Sequence, residues 1–271
     1  MPFARAYNQP AALSAVHPAS RAARKPPSDW VIGLILALGY VAAGARAQEE
    51  PPNLARRIAH RESETQAARN DYTYRQSLVF AELDAHGAQT GEYREERDVT
   101  FSPSHERTEQ MIGQPLLTLK RLKLTDEDFQ DIRGIQPFVM TEDQLWNYET
   151  KFRGDEDIDD VDCWVLQVRP RQILEGQRLF DGMVWADKKD FSIVRLEGQA
   201  VPQMFSRQSE NLFPRFTTIR KLVDGVHRFP VFTFADDTLP FSTGLQRVRM
   251  TIRYNQYKRF GADSVIKFDK P

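Results

Sequence analysis

The chain has 271 residues with 37 basic and 38 acidic side chains, a formal net charge of −1 and one cysteine. This near-neutral balance argues against nucleic acid as a general partner, because nucleic-acid-binding proteins favour a basic balance. A single cysteine forms no internal disulfide, so the fold must be held together by its core.

An apolar stretch near the start is the most informative feature of the sequence. Trp30–Ala47 reads WVIGLILALGYVAAGARA, follows a basic lead, and ends in the small-x-small triplet Ala45-Arg46-Ala47. These are the three parts of a secretory signal peptide. The run is also shorter than the ~20 apolar residues of a membrane-spanning helix. We therefore expect export and cleavage after Ala47, with an uncleaved N-terminal anchor as the alternative.

Cleavage divides the chain into a signal peptide, residues 1–47, and one domain, residues 48–271. The leader holds five basic residues and one acidic residue, so its removal moves the formal net charge from −1 to −5. No cysteine for acylation follows the apolar run, since Cys163 lies far from the cut. We therefore expect a soluble periplasmic or secreted protein.

The first elements are predicted to be one helix and one hairpin. Asn53 precedes a helical pattern that runs to about Ala68. From Asp71 onward apolar and polar residues alternate, and a second alternating run ends at Phe101. A turn of small and polar residues ending at Gly91 separates the two runs, so they predict a β-hairpin.

The middle of the chain is predicted to be partly helical. Thr125-Asp126-Glu127-Asp128 is typical of a helix start with acidic residues in the first turn, and Gly134 ends the pattern. An apolar loop or short strand follows at 136–140. A further helical turn is predicted over Glu142–Trp146.

The remainder predicts consecutive antiparallel strands. Asp224-Gly225 is the strongest short hairpin signal. The last run, Gln246–Phe260, alternates apolar residues with Arg247, Arg249 and Arg253, which is typical of a strand with one wet face. The sum is nine to eleven strands with a few helices. This predicts a mainly β, α+β fold: a strongly curved antiparallel half-barrel with helices covering the concave face.

Motifs for common chemistries are absent from the sequence. It contains no G-x-S-x-G, H-E-x-x-H, G-x-G-x-x-G or phosphate-loop pattern. The four histidines after the leader lack a second histidine or the cysteine at ligand spacing, so no metal site is expected from them. We expect no cofactor.

Three weaker features have a structural and a functional interpretation. The acidic run 154–162 imitates the start of a calcium loop, but Asp160 replaces the glycine and Leu166 the glutamate that the loop requires. A solvated turn is therefore favoured. Cys163 has Asp162 and no base beside it, which favours an inert thiol. Asp181 and Asp187 have a spacing compatible with acid–base work, but also with ordinary strand ends.

Several segments together resemble a known family of exported proteins. The hairpin Leu179–Gly198, with its W-x-D turn and following I-V-R-L-E strand, resembles a recurring hairpin of outer-membrane lipoprotein carrier-like (LolA-like) proteins, the outer membrane lipoprotein-sorting group. Leu124–Phe129 and Ile135–Phe138 resemble the helical segment of that group. The resemblance implies a half-barrel with a hydrophobic cavity capped by helices, and transport of lipoprotein acyl chains.

The sequence therefore predicts a non-enzymatic periplasmic carrier or binding protein for lipoprotein acyl chains or other lipids. Its partners would be those lipids and a membrane-bound donor or acceptor protein. A sensor or scaffold with a filled interior is the alternative, and a hydrolase with an acid pair is a third. Residues of the covering segment and candidates for the concave face make up the predicted ligand-binding set: Phe129, Ile132, Phe138, Trp164, Trp185, Val194, Leu196, Val248, Met250 and Ile252.

Overall fold

A long antiparallel sheet with helices on one face makes up most of the structure. The computed structural model describes residues 49–102, 104–134, 140–205 and 210–260. The helical elements are α1 (Leu54–Arg69), α2 (Asp126–Gly134) and a 3-10 turn (Leu145–Asn147). The strands are β1 (Tyr72–Leu83), β2 (Gln89–Phe101), β3 (Arg107–Met111), β4 (Leu116–Leu117), β5 (Tyr148–Ile158), β6 (Val161–Pro170), β7 (Leu179–Asp187), β8 (Ile193–Val201), β9 (Met204–Phe205), β10 (Glu210–Asn211), β11 (Phe216–Leu222), β12 (Arg228–Phe241) and β13 (Gly244–Arg259).

The main sheet has eleven strands in the order β3-β2-β1-β13-β12-β11-β8-β7-β6-β5, with β4 also paired to β2. All of its pairings are antiparallel. Within the described residues the end strands β3 and β5 do not meet, so the sheet is an open, curved half-barrel. The predicted fold class is confirmed. The short strands β3, β4, β9 and β10 were not predicted.

The helices cover one face of the sheet and complete the main core. Leu54 and Ile58 of α1 and Ile132 of α2 lie in the same buried cluster as the inward side chains of β1, β6, β7, β8 and β13. On β13 the predicted alternation is confirmed, because Val248, Met250 and Ile252 are buried against these helices. No helix in the described part of the chain is both long and apolar enough to span a bilayer.

One turn and one helix start form as their sequences predict, and a second helix start differs. The Asp224 carboxylate accepts the backbone N–H groups of Val226 and His227, and Gly225 adopts a φ of 82°. Asp128 accepts the backbone N–H of Thr125 and donates its own to the Thr125 hydroxyl, which is a capping box. Asn53, by contrast, caps α1 only through its backbone carbonyl, because its side chain forms no cap hydrogen bond.

Candidate functional site

Five of the ten predicted site residues lie in a filled core. Leu196, Val248, Met250 and Ile252 have 0% of their surface exposed, and Ile132 has 3%. They pack against α1, α2 and one another on the helix-covered face. The structure therefore brings these five residues together, but as packed core rather than as the wall of an open cavity.

Phe129 and Trp164 lie at the margins of that core. The Phe129 ring contacts Tyr93 with ring centroids 5.8 Å apart, and the Arg97 guanidinium lies 5.6 Å from its centroid. The gap beside Phe129 has a volume of only about 10 Å³. Trp164 packs against Phe152, beneath the Lys188 ammonium. Phe138 lies outside the described residues.

Trp185 and Val194 lie on the opposite face of the sheet, which corrects the prediction that they share the concave face. Both belong to a separate cluster with Ile158, Cys163 and Val165. Strand alternation would place Val194 with Leu196. A bulge between the pairs Trp185–Arg195 and Ala186–Ile193 shifts the register and turns Val194 outward.

A larger cavity than the gap beside Phe129 lies elsewhere. It has a volume of about 610 Å³ and opens to solvent between residues 121–128, β1 and the β12–β13 turn. None of the predicted site residues in the described part of the chain lines it. Apolar side chains are contributed by Phe80, Leu122, Leu124, Leu212, Phe213, Leu239 and Phe241. Polar and charged side chains are contributed by Arg121, Lys123, Thr125, Asp126, Glu127, Asp128, Thr243 and Gln246.

A buried carboxylate holds the irregular wall of this cavity in place. Glu82 of β1 is fully buried and accepts the backbone N–H groups of Lys120, Arg121 and Leu122 at 2.9, 2.7 and 2.6 Å. Hydrogen bonds to an ionised carboxylate are stronger than those between neutral groups. The three bonds therefore fix a segment whose backbone has no ladder partner at these positions.

The same wall is fixed at its start by a close backbone crossing. Thr118 donates its backbone N–H to the Glu92 carbonyl at 2.8 Å, and its hydroxyl accepts the Glu92 N–H at 2.9 Å. A Cβ at Gly91 would overlap the Thr118 carbonyl oxygen. Position 91 therefore requires glycine for the segment to lie this close to β2.

The far end of the wall leads into α2, which is tied to the sheet by charge. Asp131 is buried and accepts the Arg178 guanidinium from the β6–β7 connection, with Nε 3.3 Å from Oδ1. Burial raises the pKa of Asp131, while Arg178 opposes that shift. Burial also raises the pKa of Asp128, at the cavity, to about 6.

The surroundings of the acidic run and of Cys163 argue against calcium binding and thiol chemistry. The Lys188 ammonium pairs with Asp155 and lies 2.7 Å from Asp162, so it occupies the centre of the acidic run. Cys163 is buried, and burial raises the pKa of its thiol to about 12, which keeps it protonated.

The proposed acid pair does not converge on one cleft. Asp181 lies near the start of β7 and is 3.7 Å from Arg169, while Asp187 ends the strand and pairs with Arg228 at 2.8 Å. Since each carboxylate has its own arginine at a different end of the strand, the pair is not arranged for joint acid–base work.

The segment forming the cavity wall is the feature that sequence reasoning missed. Residues 116–125 read LLTLKRLKLT, with five leucines and three cations and no acidic residue. The leucines have neither strand nor helix spacing, so periodicity gave no signal. The composition itself, an amphiphilic run between a hairpin and a helix cap, was the available signal.

Comparisons with known proteins find similar solved structures. No protein-family model and no curated protein matches the sequence. The structure is similar to a LolA superfamily protein from Nitrosomonas europaea, with 16% identity, 76% of this chain and 94% of that chain covered, and a TM-score of 0.36. It is also similar to an outer membrane lipoprotein-sorting protein domain from Vibrio parahaemolyticus, with 10% identity, coverages of 74% and 92%, and a TM-score of 0.35.

A third similar structure is the Pseudomonas aeruginosa MucA/MucB complex, with 11% identity, coverages of 77% and 99%, and a TM-score of 0.24. Proteins described as LolA-like or lipoprotein-sorting are thus among the solved structures to which this chain is similar. At these identities the likeness concerns the fold alone.

Proposed function

We propose that this chain is an exported, non-enzymatic binding protein that shields an acyl chain of a lipid or lipoprotein in the 610 Å³ cavity. The observation that carries the proposal is the cavity itself, with its apolar floor and charged rim. Its volume falls within the range of ~300–1,000 Å³ that is typical of small-molecule sites. Phe80, Leu239 and Phe241 offer an apolar surface for hydrocarbon, and Arg121 and Lys123 offer charge to a head group.

The non-enzymatic part of the proposal is supported by the state of the reactive groups. The Cys163 thiol is held protonated by burial. Asp181 and Asp187 are separated and each is neutralised by an arginine. The chemistry that the described cavity offers is binding through apolar contact and charge.

Displacement of a fluorescent acyl probe tests this function. Phe241 lines the cavity, and Phe241→Glu would place a carboxylate against hydrocarbon, which is costly unless the charge is paired. We expect a loss of probe affinity of at least about tenfold. Leu245→Glu is the matched control, because Leu245 is four residues away, 69% exposed and outside the cavity lining.

Thermal unfolding of both variants shows whether each is folded. Equal probe affinity in wild type and in folded Phe241→Glu would contradict binding in this cavity. Failure of the wild-type protein to bind the probe saturably would contradict the lipid-binding function as a whole.

A second candidate function, a scaffold or sensor that binds protein partners, is favoured by one observation. The residues predicted for the concave face are filled core, with Leu196, Val248, Met250 and Ile252 fully buried. A filled interior needs no cargo. Saturable binding of the acyl probe that is lost in Phe241→Glu favours the lipid-binding function, and absence of such binding favours the scaffold.

A further inference from the structure

The segment 116–125, here named the basic lip, has the composition of a membrane-surface motif. It reads LLTLKRLKLT and contains leucines, threonines and three cations. Leucines supply surface that lipid can bury, and lysine and arginine are attracted to anionic head groups. Composition alone does not place these groups, but the structure does.

The structure divides the leucines of the basic lip into two groups. Leu119, Leu122 and Leu124 pack against the main core and hold the segment to the domain. Leu116 and Leu117, in the short strand β4, are 45% and 66% exposed. The lip therefore presents two adjacent apolar side chains to the outside while the other three anchor it.

The cations of the basic lip are available for an external partner. Lys120, Arg121 and Lys123 are all exposed. Within the described residues none of the three side chains forms an ion pair with a carboxylate. Glu82, a buried carboxylate bonded to this segment, binds its backbone N–H groups and leaves the cationic side chains outside.

The basic lip also borders the cavity. Arg121 and Lys123 contribute to its lining, as do Asp126 and Glu127 at the start of α2. Three exposed cations and two exposed leucines thus lie within eight residues of one another beside the cavity opening. An opposing surface that matches them must offer both negative charge and hydrocarbon.

We propose that the basic lip docks on an anionic membrane surface. The three cations contact the lipid head groups, and Leu116 and Leu117 enter the interfacial layer between head groups and acyl chains. This placement brings the opening of the cavity to the membrane. The docking surface does not depend on the cavity holding a lipid, because no cavity-binding step enters the contact.

Co-sedimentation with vesicles tests the docking surface, using protein purified from the periplasm. We expect binding to phosphatidylcholine vesicles that contain phosphatidylglycerol, little binding to phosphatidylcholine alone, and weakening by salt. Charge reversal of the three lip cations should reduce the vesicle partition coefficient by at least about tenfold, since each contributes roughly a fivefold factor near an anionic surface. The lip variant combines Lys120→Glu, Arg121→Glu and Lys123→Glu.

A control variant with the same change in net charge separates the lip from general electrostatics. It reverses three exposed cations on α1, β5 and β11: Arg56→Glu, Lys151→Glu and Lys221→Glu. We expect it to keep most of the wild-type binding. Equal loss in the two triple variants, or equal binding of wild type to both kinds of vesicle, would overturn the proposal.

Leu117→Ser tests the apolar part of the contact and separates it from the proposed function. Leu117 is exposed and does not line the cavity, so the variant should bind vesicles more weakly while keeping its affinity for the soluble acyl probe. Unchanged vesicle binding in Leu117→Ser would contradict the insertion of the leucines. A wild-type protein that docks on vesicles but does not bind the acyl probe would contradict the lipid-carrying function alone.

Discussion

Glu62 of α1 and Arg220 of β11 form the most deeply buried ion pair in the described part of the chain. The two guanidinium nitrogens lie 2.6 and 2.7 Å from the two carboxylate oxygens, and the side chains are 1% and 0% exposed. Glu62→Gln would leave the guanidinium buried without its counter-charge, so we expect a loss of about 3–5 kcal/mol in the free energy of unfolding.

Urea unfolding in a double-mutant cycle measures this coupling. Glu62→Leu combined with Arg220→Leu should cost less than the sum of the two single changes, because no unpaired charge remains. Additive costs would show that the pair contributes no coupling between α1 and the sheet.

Asp128 is expected to make stability depend on pH. Burial raises the pKa of its carboxyl to about 6 from an ordinary value of 3.8. A carboxyl with a higher pKa in the folded state binds more protons when folded, so its contribution to stability increases as the pH falls from about 6 to about 4. The pKa shift sets the scale of this gain at about 3 kcal/mol.

The comparison with Asp128→Asn isolates this effect. Carboxyls with lowered pKa values, such as Asp98 and Asp236 beside their arginines, make the opposite contribution but are present in both proteins. Wild type should gain stability relative to the variant between about pH 7 and pH 4 in chemical unfolding. A difference that does not vary with pH would contradict the buried carboxyl.

Individual residues show where sequence reasoning succeeds and where it stops. The alternation on β13 correctly predicted Val248, Met250 and Ile252 as buried, because the opposite face of that strand is exposed to solvent and carries polar residues. It placed Val194 wrongly, since a bulge is set by pairing with β7 and leaves no mark in the alternation.

Among the elements, the basic lip is held by a distant side chain, Glu82 of β1. Glu82→Gln would replace a carboxylate that accepts three backbone N–H groups with an amide whose NH₂ faces at least one of those donors. We expect a loss of about 1–3 kcal/mol of stability, faster amide hydrogen exchange at Lys120, Arg121 and Leu122, and weaker acyl-probe binding.

Glu96→Gln is the matched control for this change. Glu96 lies on β2, is only half-buried, and accepts the Ser77 hydroxyl at 3.1 Å. It should leave exchange in the basic lip unchanged. Unaltered exchange in Glu82→Gln would contradict the role of Glu82 as the anchor of the cavity wall.

An element could be predicted from the sequence when the residues that fix it lie close together in the chain. The start of α2 was predicted because Thr125 and Asp128 cap it through side chains three residues apart. The conformation of the basic lip is fixed by Glu82 and Gly91, about 30 to 40 residues earlier in the chain, so its local sequence could not reveal it.

At the scale of the whole molecule, the fold class was predictable and the site was not. Runs of alternating strands and the resemblance to LolA-like proteins both indicated an open antiparallel sheet with helices. The pairing of β1 with β13 joins residues 72 and 259 and arises only in three dimensions. The cavity forms where that pairing brings the basic lip to the β12–β13 turn. The signal peptide, residues 1–47, stays a prediction because it lies outside the described residues.

Native mass spectrometry of the natively purified protein tests most directly whether the chain carries a lipid. We predict a folded species whose mass exceeds that of the polypeptide by one or more lipids, and the loss of this excess in Phe241→Glu but not in Leu245→Glu. A folded wild-type protein that carries no lipid, and gains none on incubation with lipid or lipoprotein, would contradict the account.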